Sequence, residues 1–149
     1  KYGLESILFL GSANIKAGHD TIEKIYQKLR IPTAERIFYI GDAFRAGVDL
    51  EKVYALTKID RWFLYNIKEI MNLEKEIIQN KDSMTDEILI TAKQFGFSDH
   101  QIASLTNKAE GDISKLRKSY NIVPDFKLVD TCAAEFQAHT PYFYSTYDT

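Results

Sequence analysis

Between Asp20 and Tyr120, apolar residues return every three or four positions, and the runs are bounded by polar caps, glycines or prolines. That period belongs to α-helices buried along one face, not to strands, whose apolar residues alternate. Ile22, Ile25, Tyr26 and Leu29 form the first stripe, with Asp20 or Thr21 as cap and Pro32 beyond the end. Thr33 is placed to cap a second helix, with Ile37, Ile40, Ala43 and Phe44 on one face and a stop at Gly47. Asp49 caps a short third helix carrying Val53 and Leu56. Asp60 opens the longest helix, to about Asn80, along which Phe63, Ile67, Ile70, Met71, Glu74 and Ile77 keep the same spacing.

The second half repeats the grammar. Asp82 to Thr85 cap a helix with Ile88, Leu89 and Ala92 that ends near Gly96. Ser98 caps one with Ile102 and Leu105, and another runs from about Glu110 to Tyr120 with Ile113 and Leu116 inward. No hairpin signal and no alternation of strands with helices is present, so the expected fold is all-α and multihelical with an extended C-terminal tail. The expected divisions are a segment 1–30 with the first helix, helical subdomains 31–80 and 81–123, and the tail 124–149. Residues 1–19 are poorly patterned, and Ile7–Leu10 fits either a short strand or a helical turn.

A shift of 49 positions superposes the halves: Ala43-x-x-x-Gly47 falls on Ala92-x-x-x-Gly96, Asp49 on Ser98, Val53 on Ile102, and Leu56-Thr57 on Leu105-Thr106. Ile40 meets Leu89, Leu64 meets Ile113, and Ile67 meets Leu116. Any two helical stripes align at some shift. Paired stops, caps and dipeptides go further and raise a duplicated helical unit as the other reading.

At 149 residues and 45% hydrophobic the chain can bury a core, and its net charge of −2 gives no general attraction to nucleic acid or an anionic membrane. The single cysteine, Cys132, excludes an internal disulfide and a cysteine-rich zinc site. A free thiol fits a reducing, cytoplasmic setting. No apolar run is long enough to span a bilayer, and no basic region followed by a long apolar one suggests a signal peptide. The chain starts at Lys1 without a methionine, which fits a segment cut from a longer polypeptide.

Cys132 and His139 invite a nucleophile–base reading, but seven positions of separation fix no geometry, and Thr131, Ala133 and Ala134 around the thiol suit a buried, inert cysteine. His19, His100 and His139 are scattered, with no metal-ligand pair among them. Asp20 and Asp99 read as helix caps or first-turn acids, and Glu69, Glu74 and Glu76 beside Lys68 and Lys75 as a solvated face. The segment from Gly11 to Gly18 has glycines and a lysine but lacks the GxxxxGK[ST] phosphate loop. Phe97 to Ile122 has the rhythm of a helix-turn-helix, yet Glu110 and Asp112 open its would-be reading helix and repel phosphate. Arg45 and Arg61, near Asp42 and Asp60 and beside Phe44, Trp62 and Phe63, read as buried arginine–carboxylate pairs at helix junctions. Val48 follows the Gly47 stop, where an apolar residue packs back on its own helix; were it exposed, Val48 and Tyr54 would be candidates for a subunit contact.

Three stretches, RIFYIGDAFRAG (Arg36–Gly47), LTKIDRWFL (Leu56–Leu64) and VDTCAAEFQAHTPYFYSTYD (Val129–Asp148), together resemble the oligomerisation (connection) domain of the large subunit of carbamoyl phosphate synthetase. The resemblance runs from about Ile31 to Asp148 and is weaker over residues 1–30. It marks Asp42, Arg45, Asp60, Arg61, Trp62, Asp130, Cys132 and Glu135 as structural signature residues.

The resemblance implies a non-catalytic helical domain of two subdomains joining two ATP-grasp synthetase halves, within a parent that also uses a glutaminase small subunit and forms homo-oligomers. ATP and Mg or Mn are implied for that parent, a ligase of arginine and pyrimidine biosynthesis, and no catalytic, cofactor or metal residue is implied here. The tail would lead toward the second half, with Phe136, Tyr142, Phe143 and Tyr144 packed on the helices and Cys132 buried. Two readings outside this family, a helix-turn-helix nucleic-acid binder and a cysteine hydrolase, rest on the features weighed above.

Overall fold

The computed structural model describes residues 19–129 and 142–147, with His19, Asp20 and Thr21 described by their backbone alone. Seven helices hold most of them: α1 (His19–Arg30), α2 (Arg36–Arg45), α3 (Leu50–Thr57), α4 (Arg61–Gln79), α5 (Asp86–Gln94), α6 (Asp99–Thr106) and α7 (Glu110–Ser119). Two strands follow, β1 (Asp125–Val129) and β2 (Tyr142–Thr146). The architecture of the described residues is thus mainly all-α with one small sheet. The chain forms two units, residues 1–76 and 77–149, and the boundary falls inside α4.

The core of the first unit gathers Ile25 and Leu29 of α1, Ile40 and Ala43 of α2, Val48, Val53 of α3 and Leu64 of α4. These side chains come from the stripes that the sequence period marks out, and their burial supplies most of what holds such short helices together. α2 ends where Gly47 takes φ 79°, a left-handed conformation in which a Cβ is strained. There the Gly47 N–H donates to the Phe44 carbonyl at 3.0 Å and the Val48 N–H to the Ala43 carbonyl at 2.9 Å. The reversal turns Val48 back into the core. Asp49 then accepts from the Glu51 N–H and opens α3, and Asp60 accepts from the Trp62 N–H at 2.8 Å to open α4.

In the second unit Leu89 and Ala92 of α5, Phe97, Ile102 and Ala103 of α6, Ile113 of α7 and Ile122 are buried. Gly96 has φ 89°, its N–H donates to the Lys93 carbonyl at 3.1 Å, and the Phe97 N–H donates to the Ala92 carbonyl at 2.9 Å. Ser98 and Gln101 form a reciprocal capping box at the start of α6. The glycine stop and the position of the cap match the first unit at the 49-residue shift, while the reciprocal box does not, since Asp49 accepts from the Glu51 N–H and Lys52 stands where Gln101 does. α3 and α6 correspond end to end, the Thr57 hydroxyl donates to the Val53 carbonyl as Thr106 does to Ile102, and Lys58 (φ 57°) and Asn107 (φ 55°) are both left-handed.

Several expectations are corrected. Thr33 provides no side-chain cap; α2 begins at Arg36 behind Glu35, and the Arg36 N–H donates to the Thr33 carbonyl in a preceding turn. Ile37 and Phe63, placed inward by period, are 42% and 56% exposed, because they lie at the edge of stripes whose centres are Ile40 and Leu64. Glu74, assigned to a solvated face, is buried. The tail is not simply extended. β1 and β2 pair antiparallel with Lys127 opposite Tyr144 and Leu128 opposite Phe143. Tyr142, Phe143 and Tyr144 do not pack on the helices but are exposed on this ribbon, as are Phe126 and Leu128. The expectations for Phe136, Cys132 and the rest of 130–141 fall outside the described residues.

Candidate functional site

Three side-chain clusters carry the chemistry of the described residues. In the first unit, α2 and α4 bring Arg45 against two carboxylates. Arg45 Nε donates to Glu74 Oε1 at 2.7 Å and Nη2 to Glu74 Oε2 at 2.8 Å, a two-pronged pairing. Arg45 Nη1 donates to Asp42 Oδ1 at 2.9 Å, one helical turn back on α2. All three side chains are nearly out of water, with exposures of 12%, 4% and 6% for Arg45, Glu74 and Asp42. Burial pushes the Asp42 carboxyl up from its ordinary value, against the pull of Arg45, and the nearby Glu74 adds to the rise. Burial alone would lower Arg45, but its bonds to Glu74 and Asp42 outweigh that and raise it.

The second cluster corrects the reading of Arg61. Its Nε and Nη2 donate to the two oxygens of Glu51, each at 2.7 Å, and its guanidinium carbon lies 3.6 Å from the centre of the Tyr54 ring. This pair is about half exposed and the partner is Glu51, since Asp60 is occupied as the α4 cap. The bond from Arg61 holds Glu51 below the usual carboxylate range. Trp62 is 66% exposed and meets Phe63 edge-on at 5.0 Å. Val48 is buried, so the exposure that would make it a contact residue is absent, and Tyr54 is half-buried on the core.

The third cluster was invisible to sequence reasoning. Asp99, at the start of α6, accepts from Lys93 Nζ at 2.9 Å and from Arg117 Nε at 3.1 Å, and Arg117 Nη2 lies 3.1 Å from Asp99 Oδ2 in the same ion pair. Lys93 also donates to the Phe97 carbonyl at 2.8 Å, and Arg117 Nη1 to the Ile122 carbonyl at 2.8 Å. Burial would raise the Asp99 carboxyl, but Lys93 and Arg117 together hold it below its ordinary value. The Tyr147 ring covers both cations, 5.1 Å from Lys93 Nζ and 5.9 Å from the Arg117 guanidinium carbon. An apolar stripe interrupted by one acid was the available signal for Glu74; no comparable signal pointed to Lys93 or Arg117.

Each buried carboxylate is engaged by an arginine or lysine, and none is paired with a nucleophile. Among the described residues no three His, Cys, Asp or Glu side chains gather as metal ligands. α7 opens with Glu110 and Asp112, both exposed, so the second helix of the helix-turn-helix reading presents acids. Asp130, Cys132, Glu135 and His139 lie outside the described residues.

Residues 5–121 match the family described as the carbamoyl-phosphate synthetase large chain, oligomerisation domain. The chain belongs to this family. It is 52% identical over 117 residues to the N-terminal section of the carbamoyl phosphate synthase large chain of Aquifex aeolicus, covering 78% of this chain and 21% of that protein. The large chain of Thermotoga neapolitana is 50% identical over 127 residues, 85% of this chain and 11% of the relative. That of a Thermoanaerobacter species is 46% identical over 125 residues, 84% and 12%. The chain thus spans about a tenth to a fifth of the length of these relatives. The oligomerisation-domain match begins at residue 5, so much of the segment that resembled the family less well lies inside it. It ends at 121, so the tail signature has no part in it.

Proposed function

We propose that this oligomerisation domain is a non-catalytic connector and assembly element within a carbamoyl phosphate synthase large chain. In this reading it joins the two synthetase halves, which with a glutaminase subunit use ATP, bicarbonate and glutamine-derived ammonia in the cytoplasm. Its surface contributes to association of the large chains. The observation that carries the reading is the family match over residues 5–121. Support comes from the ion clusters, whose charged groups are spent on each other. Among the described residues no helix is long and apolar enough to cross a membrane.

The test uses the longer polypeptide and the 149-residue chain in parallel. The chain alone is expected to form no carbamoyl phosphate from ATP, bicarbonate and ammonia. Arg45→Met in the longer protein is expected to change sedimentation and slow overall synthesis, while bicarbonate-dependent ATP hydrolysis by the first half persists. Synthesis by the isolated chain, or loss of the partial reaction with unaltered sedimentation, would overturn the proposal.

We further infer that the two units are copies of one helical module. Supporting this are the matched left-handed residues, glycine stops and threonine–carbonyl bonds at a constant shift.

A further inference from the structure

The ribbon β1–β2 is an unusual element: a lone two-stranded sheet is marginal in water, and here its side chains are largely exposed. Something must fix it to the helices. Its first strand begins three residues after Ile122, which is buried and whose carbonyl accepts from Arg117 Nη1 at 2.8 Å. Its second strand ends at Thr146, and the next residue, Tyr147, lays its ring over Lys93 and Arg117. The Tyr147 carbonyl also accepts from Gln94 Nε2 at 3.3 Å. One guanidinium thus reaches the residues that lead into β1 and out of β2, at the end of the ribbon where Asp125 pairs with Thr146. Asp99 holds that guanidinium and the Lys93 ammonium together, leaving one net positive charge beneath the aromatic face.

We propose that Lys93, Asp99 and Arg117 form a cationic socket, and that Tyr147 seated on it is the clasp that holds the C-terminal ribbon as a strap on the second unit. The chain enters the ribbon over Arg117 and returns to the same side chain twenty-five residues on, from Ile122 to Tyr147. The position at which the chain leaves the unit is therefore set by the socket and not by packing of the ribbon faces. The clasp is a property of this chain and does not depend on the connector role.

Amide hydrogen exchange of the 149-residue chain tests it, read over Asp125–Val129 and Tyr142–Thr146. Tyr147→Leu keeps apolar bulk without the ring quadrupole and is expected to speed exchange in both strands by about threefold to thirtyfold, the range of one cation–π contact. Tyr147→Phe keeps the ring and should stay within about twofold of the parent. Exchange in α5 and α6 should not change in either variant, which separates release of the strap from local unfolding of the unit. Unchanged ribbon protection in Tyr147→Leu overturns the clasp. So does equal loss in Tyr147→Phe and Tyr147→Leu, which would assign the hold to the hydroxyl.

Discussion

Arg45→Met should be among the most damaging single changes in the first unit. Methionine nearly matches the aliphatic reach of arginine, so lost packing is small and the cost is electrostatic. Three N–H donations disappear, two to Glu74 at 2.7 and 2.8 Å and one to Asp42 at 2.9 Å. What remains is two carboxylates of like charge, at 4% and 6% exposure, with no counter-ion from this arginine. Removing one partner of a buried pair costs about 3–5 kcal/mol. The residual 12% exposure of Arg45 gives water some access and argues for the lower end, about 3 kcal/mol at pH 7. A chain of this size loses about 2–4 °C in Tm per kcal/mol, so a fall of about 6–12 °C in helical circular dichroism is expected.

The pH dependence makes the reasoning refutable. In the parent, the Asp42 carboxyl already lies above its unfolded value, because burial outweighs Arg45. A raised carboxyl binds its proton more tightly folded than unfolded, so its contribution is most favourable below the unfolded value of 3.8. That contribution is lost as pH climbs through the folded pKa. Without Arg45 the Asp42 carboxyl loses the group that pulls it down and rises further, and the penalty of the variant should shrink steadily from pH 7 toward pH 4. Adding Glu74→Gln to Arg45→Met should recover part of the loss at pH 7 by removing one unpaired charge. A penalty below about 1 kcal/mol, or one independent of pH, would refute the account.

In the parent, the Asp99 carboxyl contributes with a pH response opposite in sign to that of Asp42, although the penalty of Asp99→Asn, like that of Arg45→Met, should shrink toward acid. Asp99 is held below its unfolded value of 3.8 by Lys93 and Arg117, so its stabilisation is present above that value and lost as pH falls through the folded pKa. The variant should cost about 2–4 kcal/mol at pH 7 by urea denaturation, and the cost should fade in acid. At the helix stops, Gly47→Ala and Gly96→Ala should each cost about 1–2 kcal/mol by thermal melting. A Cβ at either position meets nothing within 4 Å, so the cost is backbone strain alone and should be similar in the two units. Lys58→Gly should stabilise the chain by more than Asn107→Gly, because asparagine tolerates the left-handed region better than lysine does. A reversed order would count against the equivalence of these stops.

The helical half of this architecture was legible because its determinants are local. Gly47, Gly96, Asp49 and Ser98 act within a few residues of themselves, and the stripes through Ile40, Val53, Leu89 and Ile102 are periodic. The charged clusters were less so, since a partner in space need not be a neighbour in sequence. Arg61 has Asp60 beside it, yet Asp60 caps α4 and the arginine reaches ten residues back to Glu51. Glu74 could be recognised as an acid in an apolar stripe, but the same residue also fitted a charged face. The ribbon escaped because β1 and β2 are separated by residues 130–141, with no tight turn to announce their pairing. Pairing of that kind is written in the alternation of DFKLV and YFYST only once both strands are known to be neighbours.

The positions of the two buried clusters relative to the features that match at the 49-residue shift explain why they differ. At the 49-residue shift Arg45 corresponds to Gln94, and Lys93 corresponds to Phe44, so neither cation belongs to the features the two units share. Each cluster instead reaches a segment that has no counterpart in the other unit. The last residue of α7, Ser119, corresponds to Ile70, so Glu74 lies on the part of α4 that extends past the shared helix. Arg45 therefore ties the common module to the added length of α4. Tyr147 likewise lies on the tail, and Lys93 and Arg117 tie the common module to that tail. Apolar stripes and glycine stops suffice to specify the features that the two units have in common. Charged pairs with demanding geometry are used where each unit must hold something of its own, because a misplaced segment would leave a buried ion unpaired.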